Sequence, residues 1–153
     1  MSEINSIEQH FVIDFDSTFT KVEALDILGE ISLANHPQRE DRLRLIQEVT
    51  DKGMAGEMSL RDSLEARINI LDAHRSHLSE LIDRLNQLVS KSITRNKVFL
   101  QDNTSNTYIV SNGFKEFIVP VVTRLGIKPE HVFANDFVFD EEGKIIDFNR
   151  DNV

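Results

Sequence analysis

The chain has 153 residues, of which 40% are apolar, so it can bury the core of one domain or of a small core with an inserted subdomain. Its 26 acidic residues outnumber its 17 basic residues, and the basic residues form no continuous stripe. Both facts argue against nucleic-acid binding. The absence of cysteine excludes disulfides, thiolate metal ligands and cysteine nucleophiles. No apolar run approaches the roughly 18 residues that cross a bilayer, so we expect a cytoplasmic protein without membrane contact.

The first regular element is a short apolar strand that opens into a polar loop. Phe11, Val12 and Ile13 are followed directly by a cluster of polar side chains that begins at Asp14. Between Val22 and Ser32 the apolar residues recur at helical spacing. The sequence therefore predicts a strand, a loop and a helix in this order.

Three further helical patterns follow without a convincing strand between them. Ser59 and Ser76 stand where N-terminal caps of the second and third helices belong. This block, roughly 38–90, predicts a small helical bundle. Its apolar positions are Leu43, Ile46 and Val49, then Leu60, Leu64, Ile68 and Leu71, then Leu78, Leu81, Ile82, Leu85, Leu88 and Val89.

The last third of the chain alternates strand and helix. A β-prone run at 107–110 precedes a helical pattern from Phe114 to Leu125, and Val132-Phe133 follows as a second strand. The segments 137–139 and 144–146 flank the turn Asp140-Glu141-Glu142-Gly143, whose glycine suits a positive φ, so a β-hairpin is predicted. We therefore predict an α/β fold with a parallel sheet, whose core comprises 1–34 and 92–153 and whose helical insert comprises 35–91.

Asp14 and Asp16 are the first candidates for chemistry, because ligands of open α/β folds bind at the carboxyl ends of the strands. One carboxylate could attack phosphorus while the other transfers a proton, with magnesium bridging them to the phosphoryl group. The alternative is a solvated turn in which Thr18 or Thr20 caps the helix.

Ser111, Asn112 and Gly113 form a second polar turn after a strand. The hydroxyl of Ser111 and the following amides would meet the amino end of a helix, where an anion is favoured. The alternative is an ordinary strand-to-helix turn in which Ser111 or Asn112 is the cap.

Two charged residues on predicted helices have open assignments. Arg67 falls on the apolar face of its helix, so it either pairs with an internal carboxylate or awaits an anionic substrate. Glu23 either favours the helix dipole or binds an ammonium group. The histidines, including His74 and His77, show no metal-binding spacing and are given no role.

Four segments together resemble the haloacid dehalogenase phosphatases, in the phosphoserine phosphatase form. Phe-Val-Ile-Asp-Phe-Asp-Ser-Thr-Phe, from Phe11, is similar to the first motif of that family. The stretches 56–67, 110–114 and 131–135 are similar to its cap segment, its second motif and the segment after the following helix. The matches occur in the family's order and cover nearly all of the chain.

The resemblance implies a magnesium-dependent hydrolase of phosphoserine or a similar small phosphorylated metabolite, with a Rossmann-like core and a helical cap. Asp14 would be the nucleophile and Asp16 the general acid and base, and the Asp14 carboxylate and the Asp16 carbonyl would bind Mg²⁺. The resemblance also implies that Ser111, Asn112 and Gly113 bind the phosphoryl group of the substrate. Glu23 would bind its ammonium group and Arg67 its carboxylate. Met54 and Leu60 would contact the rest of the substrate.

Two departures from the family pattern carry their own expectations. Asn112 replaces a usual glycine, so its side chain could narrow the pocket or bind a different substrate. The family's third-motif lysine and fourth-motif acids are not found before Val153, so we expect an N-terminal fragment that is weakly active or inactive and that self-associates through an exposed sheet edge. The alternative function is a non-catalytic module that binds or senses a phosphometabolite.

Overall fold

The computed structural model describes residues 8–151. The regular elements alternate as the sequence predicts, with the helices concentrated between the first two strands. No helix within these residues has the length and apolarity that a membrane crossing requires. In chain order the elements are β1 (Phe11–Ile13), α1 (Ala24–Ser32), α2 (Arg39–Met54), α3 (Leu60–Leu71), α4 (Leu78–Gln87), α5 (Lys91–Arg95), α6 (Lys97–Asp102), β2 (Thr107–Phe114), α7 (Lys115–Thr123), β3 (Val132–Asn135), β4 (Phe137–Phe139) and β5 (Ile145–Phe148).

The first three strands form a parallel sheet in the order β1-β2-β3. Val12 lies opposite Tyr108, and Val110 lies opposite Phe133. Helix α7 connects β2 to β3 and packs against both, as a crossover between parallel strands must. The predicted α/β fold with a parallel sheet is confirmed, and β4 and β5 form the predicted antiparallel hairpin.

The two faces of the sheet differ in their exposure. Ile109 and Val132 are buried in the core, whereas Val12, Val110 and Phe133 point to the other face and are exposed. Strand β1 pairs on one side only within the described sheet, so it is an edge strand. The self-association that we predict at this edge stays a prediction.

The helices before β2 pack on one another and on the core. Helix α2 packs against α3, and α1 contacts both of them, while α4 packs against α1 and α7. Ser59 caps α3 by accepting a hydrogen bond from the amide of Asp62. The predicted cap at Ser76 is wrong: His74 accepts from the amide of Ser76 and starts a short 3₁₀ turn, Arg75–His77, that leads into α4.

The hairpin docks on the junction between α3 and α4. The amide of Ile145 donates to the carbonyl of Ala73 at 2.9 Å, and the amide of Arg75 donates to the carbonyl of Gly143 at 2.8 Å. Lys144 forms an ion pair with Asp72 at 3.1 Å. Lys144 therefore lies within the hairpin, as its sequence position predicts, and it is committed to a contact outside the polar turns.

Replacement of Gly143 by alanine is expected to destabilise the chain by about 2 kcal/mol. Gly143 has a φ of 90°, which strains a residue with a side chain, and a Cβ added there would lie 2.9 Å from Nε2 of His74. Alanine would therefore strain both the backbone and the contact between the hairpin and His74. Urea unfolding measures the loss. Gly56→Ala is the matched control, because Gly56 has a φ of 75° with open space around it and should cost only about 1 kcal/mol. Equal losses in the two variants would contradict tight docking of the hairpin.

Candidate active site

A compact turn, Phe15–Phe19, follows β1 and carries the first polar cluster. Phe15 and Phe19 are fully buried and stack on each other with ring centroids 5.8 Å apart. Their burial anchors the turn, which leaves Ser17 exposed at a left-handed φ of 56°. Strained backbone of this kind is concentrated at functional sites.

The alternative that Thr18 or Thr20 caps the following helix is wrong. The amide of Ala24, the first residue of α1, donates to Oδ1 of Asp16 at 2.7 Å. The hydroxyl of Thr20 donates instead to the carbonyl of Val22. The carboxylate of Asp16 is therefore fixed at the amino end of α1, where the helix dipole favours its negative charge.

Asp14 and Asp16 lie in different environments. Asp14 is exposed, and its Oδ1 accepts from the amide of Phe15 at 2.7 Å. The pKa of Asp16 is raised to about 7, chiefly by burial and also by the nearby charges of Glu23 and Asp14, while the hydrogen bond from the Ala24 amide and the charge of Arg67 oppose the shift. Two carboxyl groups with such different environments are suited to nucleophile and proton-transfer roles.

The second polar turn lies inside strand β2 rather than after it. Strand β2 continues through Phe114, and no side chain caps α7, so the expectation that Ser111 or Asn112 is a helix cap is wrong. The amide of Gly113 donates to Oγ of Ser111 at 2.9 Å. The hydroxyl proton of Ser111 therefore stays free to be donated to a ligand.

Gly113 brings the two polar turns together. A Cβ added at this glycine would lie 3.2 Å from Oδ2 of Asp16 and 3.2 Å from Oγ of Ser111. A side chain at this position would require one of the two groups to shift by a few tenths of an ångström. The carbonyl of Asn112 accepts from Nδ2 of Asn135 at 2.9 Å, which ties the turn to the end of β3.

Arg67 has no ion-pair partner within residues 8–151. Its Nε donates to the carbonyl of Ser63 at 3.4 Å, inside its own helix, and no ion pair within 4.0 Å involves it. Partial burial lowers the pKa of Arg67, and the charges of Asp26, Glu23 and Asp16 oppose that shift. The internal partner that one alternative required is absent from the described part of the chain.

Glu23 directly precedes α1 and lines the same cavity as Asp16 and Arg67. Its Oε1 accepts from the hydroxyl of Ser17 at 2.7 Å, and it makes no capping hydrogen bond to α1. Its charge therefore lies at the amino end of α1, where the helix dipole favours it, and its carboxylate also lines the cavity, so both alternatives stay open.

A single open cavity of about 450 Å³ gathers every site residue predicted from the sequence. Met54 and Leu60 lie at its α2 and α3 wall, with 75% and 57% of their surface exposed. Sequence reasoning missed the contributions of Arg61, Asn135, Phe148 and Asn149. The full lining is Asp14, Asp16, Ser17, Thr18, Glu23, Leu25, Thr50, Gly53, Met54, Leu60, Arg61, Ser63, Leu64, Arg67, Ser111, Asn112, Gly113, Asn135, Phe148 and Asn149.

The oxygen donors around the first turn fit a magnesium ion held partly by its ligand. Asp14 offers an exposed carboxylate, and Mg²⁺ typically takes one or two protein carboxylates together with water and phosphate oxygens. Within residues 8–151 there is no group of three or more acidic or histidine side chains that could hold a metal ion alone.

The chain is similar in sequence to phosphoserine phosphatases. No family model matches the chain. It is 29% identical over 136 residues to the chloroplastic phosphoserine phosphatase of Arabidopsis thaliana and 29% identical to the phosphoserine phosphatase of Drosophila melanogaster; the matches cover 89% of this chain and 43% and 47% of theirs. The chain thus spans about half the length of these curated relatives.

A solved structure gives the same result for the fold. A phosphoserine phosphohydrolase-like protein from Francisella tularensis superposes with a TM-score of 0.80 and 29% identity, over 94% of this chain and 66% of that one. A substrate-bound phosphoserine phosphatase, 19% identical, shares the fold with a TM-score of 0.72. The sequence and structure comparisons therefore both relate the chain to phosphoserine phosphatase-like proteins of the haloacid dehalogenase superfamily.

Proposed function

We propose that the chain forms the nucleophile and substrate pocket of a magnesium-dependent phosphomonoester hydrolase that acts on phosphoserine or a similar small phosphorylated metabolite. The observation that carries the proposal is the shared cavity. It brings two carboxyl groups, the Ser111 hydroxyl and an arginine without an ion pair into contact with one space. The phosphoserine phosphatases similar to this chain support the reaction class.

Asp14 and Asp16 divide the reaction between them. A carboxylate oxygen of Asp14 attacks phosphorus, the bond from phosphorus to the substrate oxygen breaks, and protonated Asp16 gives its proton to that leaving oxygen. Asp16 then takes a proton from water, which attacks the aspartyl-phosphate and releases phosphate from Asp14. The raised pKa of Asp16 suits this role, because the group can hold or release a proton near neutral pH.

Mg²⁺ would be held by the Asp14 carboxylate and the Asp16 backbone carbonyl. When bound, the ion neutralises phosphoryl charge that two nearby acids would otherwise repel. The Ser111 hydroxyl, whose oxygen already accepts from the Gly113 amide, would donate to a phosphoryl oxygen.

The rest of the cavity matches the other groups of phosphoserine. Glu23 lies where it could accept from the ammonium, and Arg67 could bind the carboxylate through two parallel hydrogen bonds. Met54 and Leu60 would cover the bound substrate, with 35–91 acting as the cap over a core of 1–34 and 92–153. The exposed Asn112 side chain at the rim could restrict the leaving group.

One observation favours the alternative of a non-catalytic phosphometabolite-binding module. The cations that line the cavity, Arg61 and Arg67, both belong to α3, and no lysine of the described residues lines it. Charge on a phosphoryl group at Asp14 would then be balanced by the metal ion and these arginines, without a lysine. Binding without turnover is the outcome that this alternative predicts.

The test measures binding and turnover separately. We expect calorimetry to show magnesium-dependent binding of phosphoserine by the 153-residue chain, and we expect phosphate release, if catalysis occurs, to require magnesium and to stop with EDTA. Phosphoserine binding without release would favour the binding module. The absence of both would contradict the proposed pocket.

A further inference from the structure

Arg67 uses few of the hydrogen bonds that it can make. A guanidinium has five N–H donors, and the structure shows one of them, on Nε, donating to Ser63. Two of the remaining donors are enough for a bidentate contact with a substrate carboxylate. The other donors need acceptors as well, because a half-buried guanidinium with unmatched N–H groups is costly.

Asp26 carries an unmatched acceptor close to this arginine. It lies in the first turn of α1, which packs against α3, and its Oδ1 is buried without a hydrogen-bond partner. A buried carboxylate oxygen in this state costs free energy unless a donor reaches it. Asp26 does not line the cavity, so its unmatched oxygen is not an obvious substrate ligand.

The charges that act on Asp26 make Arg67 the candidate donor. The charged groups that act on Asp26 are Glu23 and Glu30 on or beside α1, Asp51 on α2 and Arg67 on α3, and Arg67 is the one cation among them. In turn, Asp26 attracts the Arg67 charge more strongly than Glu23 or Asp16 does. The two groups nevertheless form no ion pair within 4.0 Å among residues 8–151.

We propose that Asp26 is a positioning residue for Arg67. Its carboxylate accepts hydrogen bonds from some N–H groups of Arg67 while a substrate carboxylate accepts from the others. This inference rests on the proposed function of the cavity. The buried oxygen of Asp26 lacks a donor, and Arg67 has donors without acceptors. When a ligand binds, the Arg67 guanidinium would therefore lie between two carboxylates and donate hydrogen bonds to both. Asp26 thereby adds to the selection of substrates that bear a carboxylate, without touching the substrate itself.

The experiment compares two ligands that differ in the carboxylate alone. Calorimetry with magnesium measures binding of phosphoserine and of phosphoethanolamine, which has the phosphate and the ammonium but no carboxylate. Asp26→Asn is expected to weaken phosphoserine binding about tenfold and to leave phosphoethanolamine binding unchanged. Asp51→Asn is the matched control, because Asp51 also acts on Asp26 but is not among the charges that act on Arg67.

Arg67→Met separates this inference from the proposed function. In that background Asp26→Asn should cause no further loss of phosphoserine affinity. Without any ligand, Arg67→Met should raise the pKa of the Asp26 carboxyl group, followed by carbon-13 NMR, because its cation is removed. An unchanged Asp26 titration, or equal losses for both ligands in Asp26→Asn, overturns the positioning role. Failure of the wild-type chain to bind phosphoserine refutes the proposed function, and the titration then decides the Asp26 inference alone.

Discussion

Replacement of Asp14 by asparagine is expected to reduce magnesium-dependent phosphate release from phosphoserine by at least about a thousandfold. The amide oxygen of asparagine is a poor nucleophile and cannot carry the phosphoryl group. The lost Asp14 charge repels the phosphate but attracts Mg²⁺, and asparagine keeps one side-chain oxygen for the ion, so phosphoserine affinity at saturating magnesium should change by less than about tenfold. Loss of turnover with retained binding is the signature of a nucleophile rather than of a ligand contact.

Phosphate release and calorimetric binding on the same preparations check this expectation. Asp83→Asn is a suitable control, because Asp83 is an exposed acid of α4 outside the cavity. Release that survives in Asp14→Asn would show that the reaction does not pass through this carboxylate. If the wild-type chain binds without release, affinity at saturating magnesium remains the readout, and a loss much larger than about tenfold in Asp14→Asn would contradict the assigned role of Asp14 as nucleophile rather than binding contact.

Replacement of Asp16 by asparagine is expected to stabilise the metal-free chain by about 2–4 kcal/mol at pH 8. The folded chain binds a proton at Asp16 more tightly than the unfolded chain, because the pKa is raised from 3.8 to about 7. Stability from this group is therefore complete below about pH 4 and is lost as the pH rises through 7. Asparagine keeps an oxygen for the Ala24 amide and cannot ionise.

Urea unfolding in EDTA, from pH 4 to pH 8, measures this difference. The gain in Asp16→Asn should be small at pH 4, where both side chains are neutral, and should grow steadily up to about pH 8. A gain that does not depend on pH would show that packing, and not ionisation, separates the two variants. The expected gain illustrates a general trade-off, in which a group tuned for chemistry destabilises the fold that holds it.

Local patterns were sufficient for the elements that depend on neighbours in sequence. Alternation of apolar runs and turn residues predicted the parallel strands, α1 and the hairpin with Gly143 at positive φ, and the structure confirms them. The four motif matches singled out residues from Asp14 to Gly113 that the structure gathers around one cavity. The two acids follow β1, the second polar turn lies near the end of the neighbouring strand β2, and Arg67 lies on α3, so the topology brings these groups together.

Features that depend on contacts distant in sequence could not be predicted. The extension of β2 through Phe114 follows from pairing with Asn135 on β3, which no local pattern of Ser111-Asn112-Gly113 reveals. Phe148 and Asn149 line the cavity because the hairpin folds back toward α3. The isolation of Asp26 likewise depends on the packing of α1 against α3, and in the sequence it is an ordinary acid of a first helical turn.

The docking of the hairpin has a mechanical consequence for the cavity. Its turn is bonded to the end of α3, and beyond β5 the carbonyl of Arg150 accepts from Arg61 while its guanidinium pairs with Glu65 at 3.0 Å. Helix α3 is therefore held by the same segment at both of its ends. A displacement of α3 that widened the entrance of the cavity would have to break both attachments or move the hairpin as well. Ligand entry and exit therefore depend on the movement of a strand pair that contains none of the catalytic groups.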